Sequence, residues 1–287
     1  MIDLGTLGGA SSWARDINDN GQIVGESTTA SGEIHAFLYE NGVMQDLGTL
    51  AGFTDSKANA INNSGEIVGF VYNSAIPYPY DSRAFHWKST TGMINMGVIP
   101  NGISSRATDI NDDGVITGQS MIPTPPGHEA EGWETYLSRV FVYTHGQMFE
   151  IGETDFTFGD SAIGINNNNA ISVETLHIGG SFPYVYSGGN FTGLENIYTQ
   201  THTSPDNFYE RTTAITSRIN SHDIAVGRQG VSYGNNTDLS FLFKDREVYS
   251  LMDLLETNTT FTEIRSANDI NNYNQIVGNI ISVATGL

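Results

Sequence analysis

Aromatic rings and charged side chains are concentrated in a few long segments of this 287-residue chain that are rich in Pro, Gly, Asn and Thr. The side chains best suited to recognise a ligand are Tyr78, Tyr80, His128, Glu131, Trp133, Tyr136, Tyr209 and Arg211. Aromatic rings stack on sugar faces and anchor protein interfaces, and carboxylates accept hydrogen bonds from hydroxyl groups. These segments therefore predict a binding site for a carbohydrate or a protein partner.

Acid/base catalysis is the alternative chemistry for the same segments. His128 stands in "HEAEGWE", and Tyr209 could act as a base near the cation of Arg211. A glycosidase needs two placed carboxylates, and a lyase needs a base near a charge-neutralising cation. The sequence has no H-E-x-x-H, P-loop or dinucleotide motif. We therefore expect a non-enzymatic protein, with a polysaccharide-cleaving hydrolase or lyase as the alternative.

One stretch resembles the beginning of a calcium loop. Asp109, Asn111 and Asp113, followed by Gly114, match D-x-N-x-D-G. Residues 115–120 contain no acidic side chain to complete such a loop. The favoured interpretation is that the Asn-Asp-Gly turn closes a hairpin and that its side chains bond local backbone amides. No cofactor is expected, and calcium at these three residues is the alternative.

The same stretch belongs to an internal repeat. "DINDNGQIVGES" at residues 16–27 returns in five variants along the chain. The asparagine of each "IN" pair lies 44 to 55 residues from the next, at Asn18, Asn62, Asn111, Asn166, Asn220 and Asn271. Periods of this length with several strands per unit are typical of propeller blades. A β-solenoid is the structural alternative, but its coils usually have shorter and more uniform periods.

The second unit shows the predicted strands most clearly. Residues 56–62, 66–71, 83–88 and 93–99 alternate apolar and polar side chains and are separated by turn residues. Four strands per unit and six units predict an all-β, six-bladed β-propeller that forms a single domain over residues 1–287. Small residues recur on the first strand of each unit, where the innermost strands of a propeller are crowded: Ala14, Ala58, Ala107, Ala162, Thr216 and Ala267.

The two ends of the chain are unequal. "IDLGTL" at residues 2–7 resembles "QDLGTL" at residues 45–50, which we assign to a fourth strand. After Ile281 no segment resembles a third strand. We predict that the N-terminal strand closes the last blade. A strand from another chain could fill the gap instead, which would make the protein a homo-oligomer or a filament-forming structural protein of the cell surface.

In a propeller blade, the connections after the second and fourth strands lie on one face. The long segments of this chain, residues 71–82, 120–138, 196–212 and 228–240, all fall in that set. Variable loops on a rigid scaffold are the usual place for binding groups. This long-loop face is therefore the predicted binding surface.

Composition limits the remaining classes of function. The chain has 12 Lys plus Arg against 32 Asp plus Glu, a net charge of -20, which argues against binding the phosphate backbone of nucleic acid. It has no cysteine, so disulfides and thiolate metal sites are excluded. No apolar run approaches the roughly 18 residues that cross a bilayer. The first residues do not read as a signal peptide.

The repeat resembles a known family, the HAF extracellular repeat proteins of bacteria. The tripeptide of the name stands here at residues 35–37, and the "DLGTLGG" pattern stands at residues 3–9 and, with Ala51 in place of one glycine, at residues 46–52. The "INxxGxIVG" pattern covers the six hairpins, although the fourth and fifth replace the turn glycine. The resemblance implies a repeat β-propeller that is extracellular or attached to the bacterial cell surface, and it implies no activity. The partner expected from the composition of the long segments is a glycan or a surface protein.

Overall fold

A computed structural model describes residues 2–76, 82–124, 136–152, 159–177, 180–193, 211–232, 239–245, 247–251, 254 and 261–282. This part of the chain contains strands and turns and no helix, as the all-β prediction requires. Within it, no helix is long and apolar enough to span a membrane.

The chain divides into two compact units, Met1–Glu153 and Thr154–Leu287. The described strands of the first unit form three antiparallel meanders, in each of which four consecutive strands pair with their neighbours. The first meander comprises β1 (Gly8–Ile17), β2 (Ile23–Thr29), β3 (Ile34–Glu40) and β4 (Val43–Asp46). The second comprises β5 (Asp55–Ile61), β6 (Ile67–Tyr72), β7 (Ser82–Lys88) and β8 (Gly92–Gly97). The third comprises β9 (Ser104–Ile110), β10 (Ile116–Pro123), β11 (Tyr136–Thr144) and β12 (Gln147–Ile151).

The second unit contains two further meanders and a hairpin among its described residues. The fourth meander comprises β13 (Gly159–Ile165), β14 (Ile171–His177), β15 (Gly180–Ser187) and β16 (Asn190–Gly193). The fifth comprises β17 (Arg211–Ile219), β18 (Ala225–Ser232), β19 (Leu239–Lys244) and β20 (Glu247–Ser250). The sixth group comprises β21 (Phe261–Ile270) and β22 (Ile276–Ser282). The four strands predicted in the second repeat are confirmed to within two residues, and the repeated small residues all lie on first strands.

The hairpin between the first and second strands follows from two features of the repeat. The carbonyl of Asn62 accepts the Gly65 amide at 3.0 Å, and the Asn62 amide donates to the Glu66 carbonyl at 3.1 Å. Gly65 has φ +74°, a left-handed conformation that glycine adopts without strain. Where the fourth, fifth and sixth repeats lack this glycine, Asn169, Asp223 and Asn274 take φ values of 61°, 58° and 61°. Asn and Asp tolerate this region, so the turn survives the substitution.

A second glycine of the repeat lies on the second strand. A Cβ at Gly69 would overlap the backbone carbonyl of Lys57 on β5, beside a bulge between Ala58 and Ala60. In four meanders, this second-strand glycine lies opposite a buried phenylalanine of the third strand. These pairs are Gly25 with Phe37, Gly69 with Phe85, Gly118 with Phe141 and Gly227 with Phe241. The glycine therefore leaves room for both the bulged first strand and the neighbouring ring.

Apolar side chains of adjacent meanders form the core. In the first unit, one cluster joins the first and second meanders through Val24, Leu38, Ile61, Ile67 and Phe85. Another joins the second and third meanders through residues that include Val68, Met96, Ile116 and Phe141. In the second unit, Val226 packs with Leu251, Ala267 and Ile270. Within each unit, successive meanders thus bury apolar side chains against each other.

Asparagine side chains connect successive hairpins within each unit. The side-chain amide of one "IN" asparagine donates to the backbone carbonyl of the next. These bonds join Asn18 to Asn62 at 3.0 Å, Asn62 to Asn111 at 3.0 Å, Asn166 to Asn220 at 2.7 Å and Asn220 to Asn271 at 3.0 Å. The side-chain oxygen meanwhile accepts the amides two and four residues ahead, as Asn62 does from Ser64 at 3.1 Å and Glu66 at 2.9 Å. We call these residues the asparagine ladder.

The N-terminal segment differs from the prediction. Residues 2–6 form no strand, and Leu7 makes an isolated bridge to Thr29. Asp3 accepts the Gly5 amide at 2.9 Å, and Asp46 accepts the Gly48 amide at 2.7 Å. The backbone turns at both glycines because their φ values are +76° and +69°. The "DLGTL" likeness therefore marks a shared turn. The assignment of residues 2–7 to a strand was wrong, and of residues 45–50 only Gln45 and Asp46 lie on a strand, the end of β4.

The last repeat is a two-stranded hairpin in the described residues, in which β21 pairs with β22. The sheets are not closed there by an N-terminal strand, because the segment predicted to supply it forms the turn at Gly5. The two strands recognised in the sequence are thus confirmed, and the predicted closing strand is not seen.

Candidate functional site

Most of the predicted binding residues lie outside the described part of the chain. These are Tyr78, Tyr80, His128, Glu131, Trp133 and Tyr209. Tyr136 begins β11, where it is half-buried and pairs with Pro123. Arg211 begins β17, opposite Ser232, at a position where the backbone alone is described. The described strand ends agree with the predicted placement of the long connections, which follow second strands β6, β10 and β18 and fourth strand β16.

Two of the residues predicted as possible calcium ligands, Asp109 and Asn111, accept hydrogen bonds from backbone amides of their own hairpin. The Asp109 carboxylate accepts the Ile110 amide at 2.9 Å, and the Asn111 side-chain oxygen accepts the Val115 amide at 2.9 Å. Asn111 is buried and belongs to the asparagine ladder, whereas Asp113 is exposed. Among the residues that the structure describes, no group of three or more His, Asp or Glu side chains could hold a metal ion. These turns thus have the side-chain-to-backbone bonds predicted for hairpins.

A polar cleft lies between the second and third meanders, at the end where the short turns are. Its volume is about 640 Å³. The strands that line it are the end of β7, the end of β11 and β8. The turns that line it are the one that ends at Glu66, before β6, and those at residues 112–115 and 144–146. The lining includes Glu66, His86, Lys88, Ile94, Asp112, Asp113, Tyr143 and His145. This is the end of the meanders opposite the predicted long-loop face, so the site was not anticipated.

Three charged or polar side chains meet in one wall of the cleft. His86 Nε2 lies 2.8 Å from one carboxylate oxygen of Glu66. Lys88 Nζ donates to the other oxygen at 2.6 Å. His86 is buried, Glu66 is largely buried and Lys88 is partly exposed. We call these residues the Glu66 network.

The protonation states in the network follow from these contacts. Burial lowers the pKa of His86, and the attraction of Glu66 offsets this only in part. Burial raises the pKa of Glu66, but the hydrogen bond from Lys88 and the interaction with His86 together lower it below its ordinary value. Glu66 is therefore ionised at neutral pH while His86 is neutral. Because a carboxylate only accepts hydrogen bonds, His86 carries its proton on Nε2.

The network departs from the repeat at two positions. His86 lies opposite Val68 in the pairing of β6 with β7. The residue at the equivalent third-strand position of the other four meanders is apolar: Leu38, Val142, Val185 and Leu242. Glu66 follows the turn glycine, a position held elsewhere by Gln22, Val115, Ala170, Ile224 and Gln275. A buried charged residue is destabilising compared with well-packed apolar side chains. A Glu–His pair at these two repeat positions occurs only in the second of the five described meanders, which makes the pair a candidate for a role beyond folding.

The remaining cleft residues offer a surface for a polar ligand. The Asp113 carboxylate and the His145 ring are exposed, and Tyr143 and Ile94 supply ring and aliphatic surface. Gly114 lets the turn lie close to Glu66, since a Cβ there would stand 3.3 Å from the Glu66 carboxylate. Comparing repeats for differences at aligned positions, rather than for similarity, would have identified His86 and Glu66 from the sequence.

Comparisons with known proteins bear on the fold. No family model and no curated protein matches the sequence. A structure from an analysis of two prolyl endopeptidases is similar, with a TM-score of 0.55 and 13% identity over 91% of this chain and 38% of that one. The β-propeller domain of the Trilobed protease from Pyrococcus furiosus has a TM-score of 0.48 and 14% identity over 87% of this chain and 68% of that one. The described residues have an all-β fold, and the structures to which the chain is similar include a β-propeller domain.

Proposed function

We propose that the protein is a non-enzymatic β-propeller that binds a carbohydrate, and that the cleft at the Glu66 network is its site. The observation that carries this proposal is the replacement of two repeat positions by a buried, preorganised Glu-His-Lys arrangement that borders a cleft. Tyr143 offers a ring face for a sugar, while Asp113 and Lys88 offer an acceptor and a donor for hydroxyl groups. Such a mixture of ring surface and few convergent polar groups is typical of small-ligand sites.

The finer architecture is part of the same proposal. Six repeats arranged as six blades of one domain over residues 1–287 would place all short turns on one face and all long connections on the other. The HAF-type resemblance supports an extracellular or cell-surface location in bacteria. A folded binding module that is displayed outside the cell is consistent with an acidic chain that lacks cysteine.

The double variant Glu66→Val/His86→Leu tests the site, because it installs side chains that other repeats already carry. We expect weaker binding, by about tenfold or more, to the strongest hit of a glycan array. We expect unfolding stability to remain equal or to rise by up to about 2 kcal/mol, because replacing a buried ionic group by packed apolar side chains removes its desolvation penalty. Isothermal titration and urea unfolding measure the two quantities.

Matched substitutions in two turns provide the control. Asp113→Asn removes an exposed charge at the cleft and should weaken binding, whereas Asp19→Asn makes the same change in the first meander and should leave binding unaltered. Wild-type affinity in the double variant, together with a loss of stability, would show that the Glu66 network is structural only.

The long-loop face is the second place for a ligand, with a glycan or a surface protein as the partner. Its residues, Tyr78, Tyr80, His128, Glu131, Trp133, Tyr136, Tyr209 and Arg211, keep the aromatic and charged composition that motivated the prediction. Loss of glycan binding in Trp133→Ala, with full binding in the double variant, would move the site to this face.

A polysaccharide-cleaving enzyme is the second candidate function. The observation that favours it is a neutral imidazole held against an ionised carboxylate, an arrangement that can accept a proton from a substrate. Release of reducing or unsaturated sugar ends from polysaccharides by the wild-type protein, lost in His86→Leu, would establish this function in place of simple binding.

Calcium dependence can be tested directly. We expect the melting temperature to change by less than about 2 °C in EDTA, because Asp109 and Asn111 already accept backbone amides. Differential scanning fluorimetry with and without EDTA and calcium measures the shift. A large fall in EDTA that calcium alone restores, and that Asp113→Asn abolishes, would assign the loop to calcium.

A further inference from the structure

The chain contains three Asn-Gly pairs, at residues 20–21, 41–42 and 101–102. An asparagine followed by glycine can lose ammonia without an enzyme, because the glycine amide nitrogen attacks the side-chain carbonyl carbon and the glycine has no side chain to hinder the approach. The reaction needs a glycine N–H that can give up its proton and an asparagine side chain that can turn toward it. Hydrogen bonds from either group therefore oppose the reaction.

Two of the three pairs hold these groups in hydrogen bonds. The Gly21 amide donates to the Asn18 carbonyl at 3.0 Å. The Asn20 side-chain amide donates to the Asn63 carbonyl at 2.9 Å. The Gly102 amide donates to the backbone carbonyl three residues earlier at 2.8 Å. Two native bonds must therefore break before the pair at residues 20–21 can react, and one must break at residues 101–102.

The third pair, Asn41-Gly42, forms the two-residue turn between β3 and β4, where Glu40 pairs with Val43. Both turn residues are exposed, and a Cβ on Gly42 would meet no atom within 4 Å. Their φ values are 53° and 82°, as a type I′ turn requires. Among the residues that the structure describes, neither the Asn41 side chain nor the Gly42 amide has a hydrogen-bond partner. Both reacting groups are thus available.

We propose that Asn41 is a site of spontaneous deamidation. The Gly42 nitrogen forms a bond to Cγ of Asn41 and loses its proton, and the side-chain nitrogen leaves as ammonia. Water then opens the resulting succinimide at one of its two carbonyl carbons, which leaves either aspartate or isoaspartate at position 41. No oxidant or reductant takes part. Each event adds one negative charge to a chain whose net charge is already -20.

The two products affect the turn differently. Aspartate leaves the backbone unchanged, and Asp245 takes φ 55° at the same position of the turn between β19 and β20. Isoaspartate directs the backbone through the side chain and so adds one methylene to a two-residue loop. Because loop length fixes the register of a hairpin, the pairing of Glu40 with Val43 is then lost. Accumulated isoaspartate therefore loosens the fourth strand of the first meander.

Incubation of the full chain in water enriched in heavy oxygen, at mildly alkaline pH, tests the site. The water that opens the ring leaves heavy oxygen in the product, so mass spectrometry detects each event. Glutamyl endopeptidase separates the three pairs into peptides 1–26, 41–66 and 67–129. Synthetic peptides of residues 17–24, 38–45 and 98–105, treated in the same way, give the rate of each pair without the fold.

Asn41 is expected to react at about the rate of its synthetic peptide. The fold should slow the pair at residues 101–102 by about fivefold and the pair at residues 20–21 by about twentyfold, because one and two hydrogen bonds must break first. Asn41→His removes the reactive amide and installs the residue of the equivalent turn in the third meander, where His145 has φ 52°. This variant should carry no label at position 41 and should unfold as the wild type does.

Hydrogen exchange distinguishes the two products. The isoaspartate form, separated by reversed-phase chromatography and refolded, should exchange faster at residues 43–46 than the wild type does, because β4 has lost its pairing at the turn. Asn41→Asp is the matched control, since it has the same charge with a normal backbone, and should exchange at those residues as the wild type does.

Two results would overturn the proposal. One is a rate at Asn41 that falls below that of its synthetic peptide by as much as the rates of the other two pairs fall below theirs. The other is faster labelling at residues 20–21 or 101–102 than at Asn41 in the folded protein. Both comparisons use the wild-type chain, so a folding defect in Asn41→His would not affect them.

Discussion

Substitution of Asn62 by alanine is expected to reduce the free energy of unfolding by about 3 kcal/mol. The side chain makes three bonds to backbone groups, accepting the amides of Ser64 and Glu66 and donating to the carbonyl of Asn111. Asn62 is only 4% exposed, so water does not readily replace these partners. Each net hydrogen bond contributes about 1 kcal/mol, and a buried group left unpaired adds a further penalty. Urea unfolding of the two proteins measures the difference.

Two further substitutions, at Asn62 and Asn63, separate the contribution of the donated hydrogen bond from that of the two accepted ones. Asn62→Asp keeps an oxygen for the two amides but removes the donor to Asn111, and should lose part of the stability. Asn63→Ala removes the exposed bonds that the Asn63 side-chain amide donates to Asp19 and Asp112, and should cost less than about 1 kcal/mol. Equal effects of Asn62→Ala and Asn63→Ala would mean that the asparagine ladder does not hold the hairpins together.

Truncation of Phe85 to alanine should destabilise the protein by about 3 to 5 kcal/mol. The ring is fully buried in a core cluster of the first and second meanders. It lies opposite Gly69, which has no side chain, and the backbone of β5 on the other side prevents β6 from moving inward. We therefore expect little collapse of the neighbours into the cavity, which places the cost toward the upper end for a core residue. Denaturant unfolding monitored by circular dichroism measures it.

Phe149→Ala is the matched control for this prediction. Phe149 lies on β12, the fourth strand of the third meander, and is 48% exposed. Its removal should change stability by less than about 1 kcal/mol. A loss for Phe85→Ala that is no larger than that for Phe149→Ala would show that the core between these meanders is loosely packed.

The sequence predicted the local structure well, because the repeat encodes it locally. Strand positions in the second repeat followed from alternation and from the turn residues between them. The first hairpin turn was recognised at Asn62–Gly65 in its glycine form, and Asn169 and Asp223 keep the same turn where the glycine is lost. Backbone conformation at a tight turn depends on a few adjacent residues, so it can be read without knowledge of the tertiary structure.

Contacts between distant segments were not predicted. The Glu66 network joins residues about twenty positions apart, whose meeting depends on the register of β6 and β7. The donor side of the asparagine ladder was also missed, since its partner lies a whole repeat away. The N-terminal "IDLGTL" was assigned to a strand because pattern similarity does not distinguish a strand from the turn that follows it. The left-handed conformation of Gly5 decides that question.

The asparagine ladder also bears on how such a chain can change in evolution. Each ladder residue accepts amides of its own turn with its side-chain oxygen. Asn18, Asn62, Asn166 and Asn220 also donate their side-chain nitrogen to the backbone of the next turn, so a single residue both forms a turn and couples it to its neighbour. A duplicated repeat would therefore arrive with its coupling already in place, and a deleted repeat would leave two compatible neighbours. We expect such chains to differ in length by whole units, with individual copies free to carry different side chains at equivalent positions, as the second repeat has His86 where the other four meanders have an apolar residue.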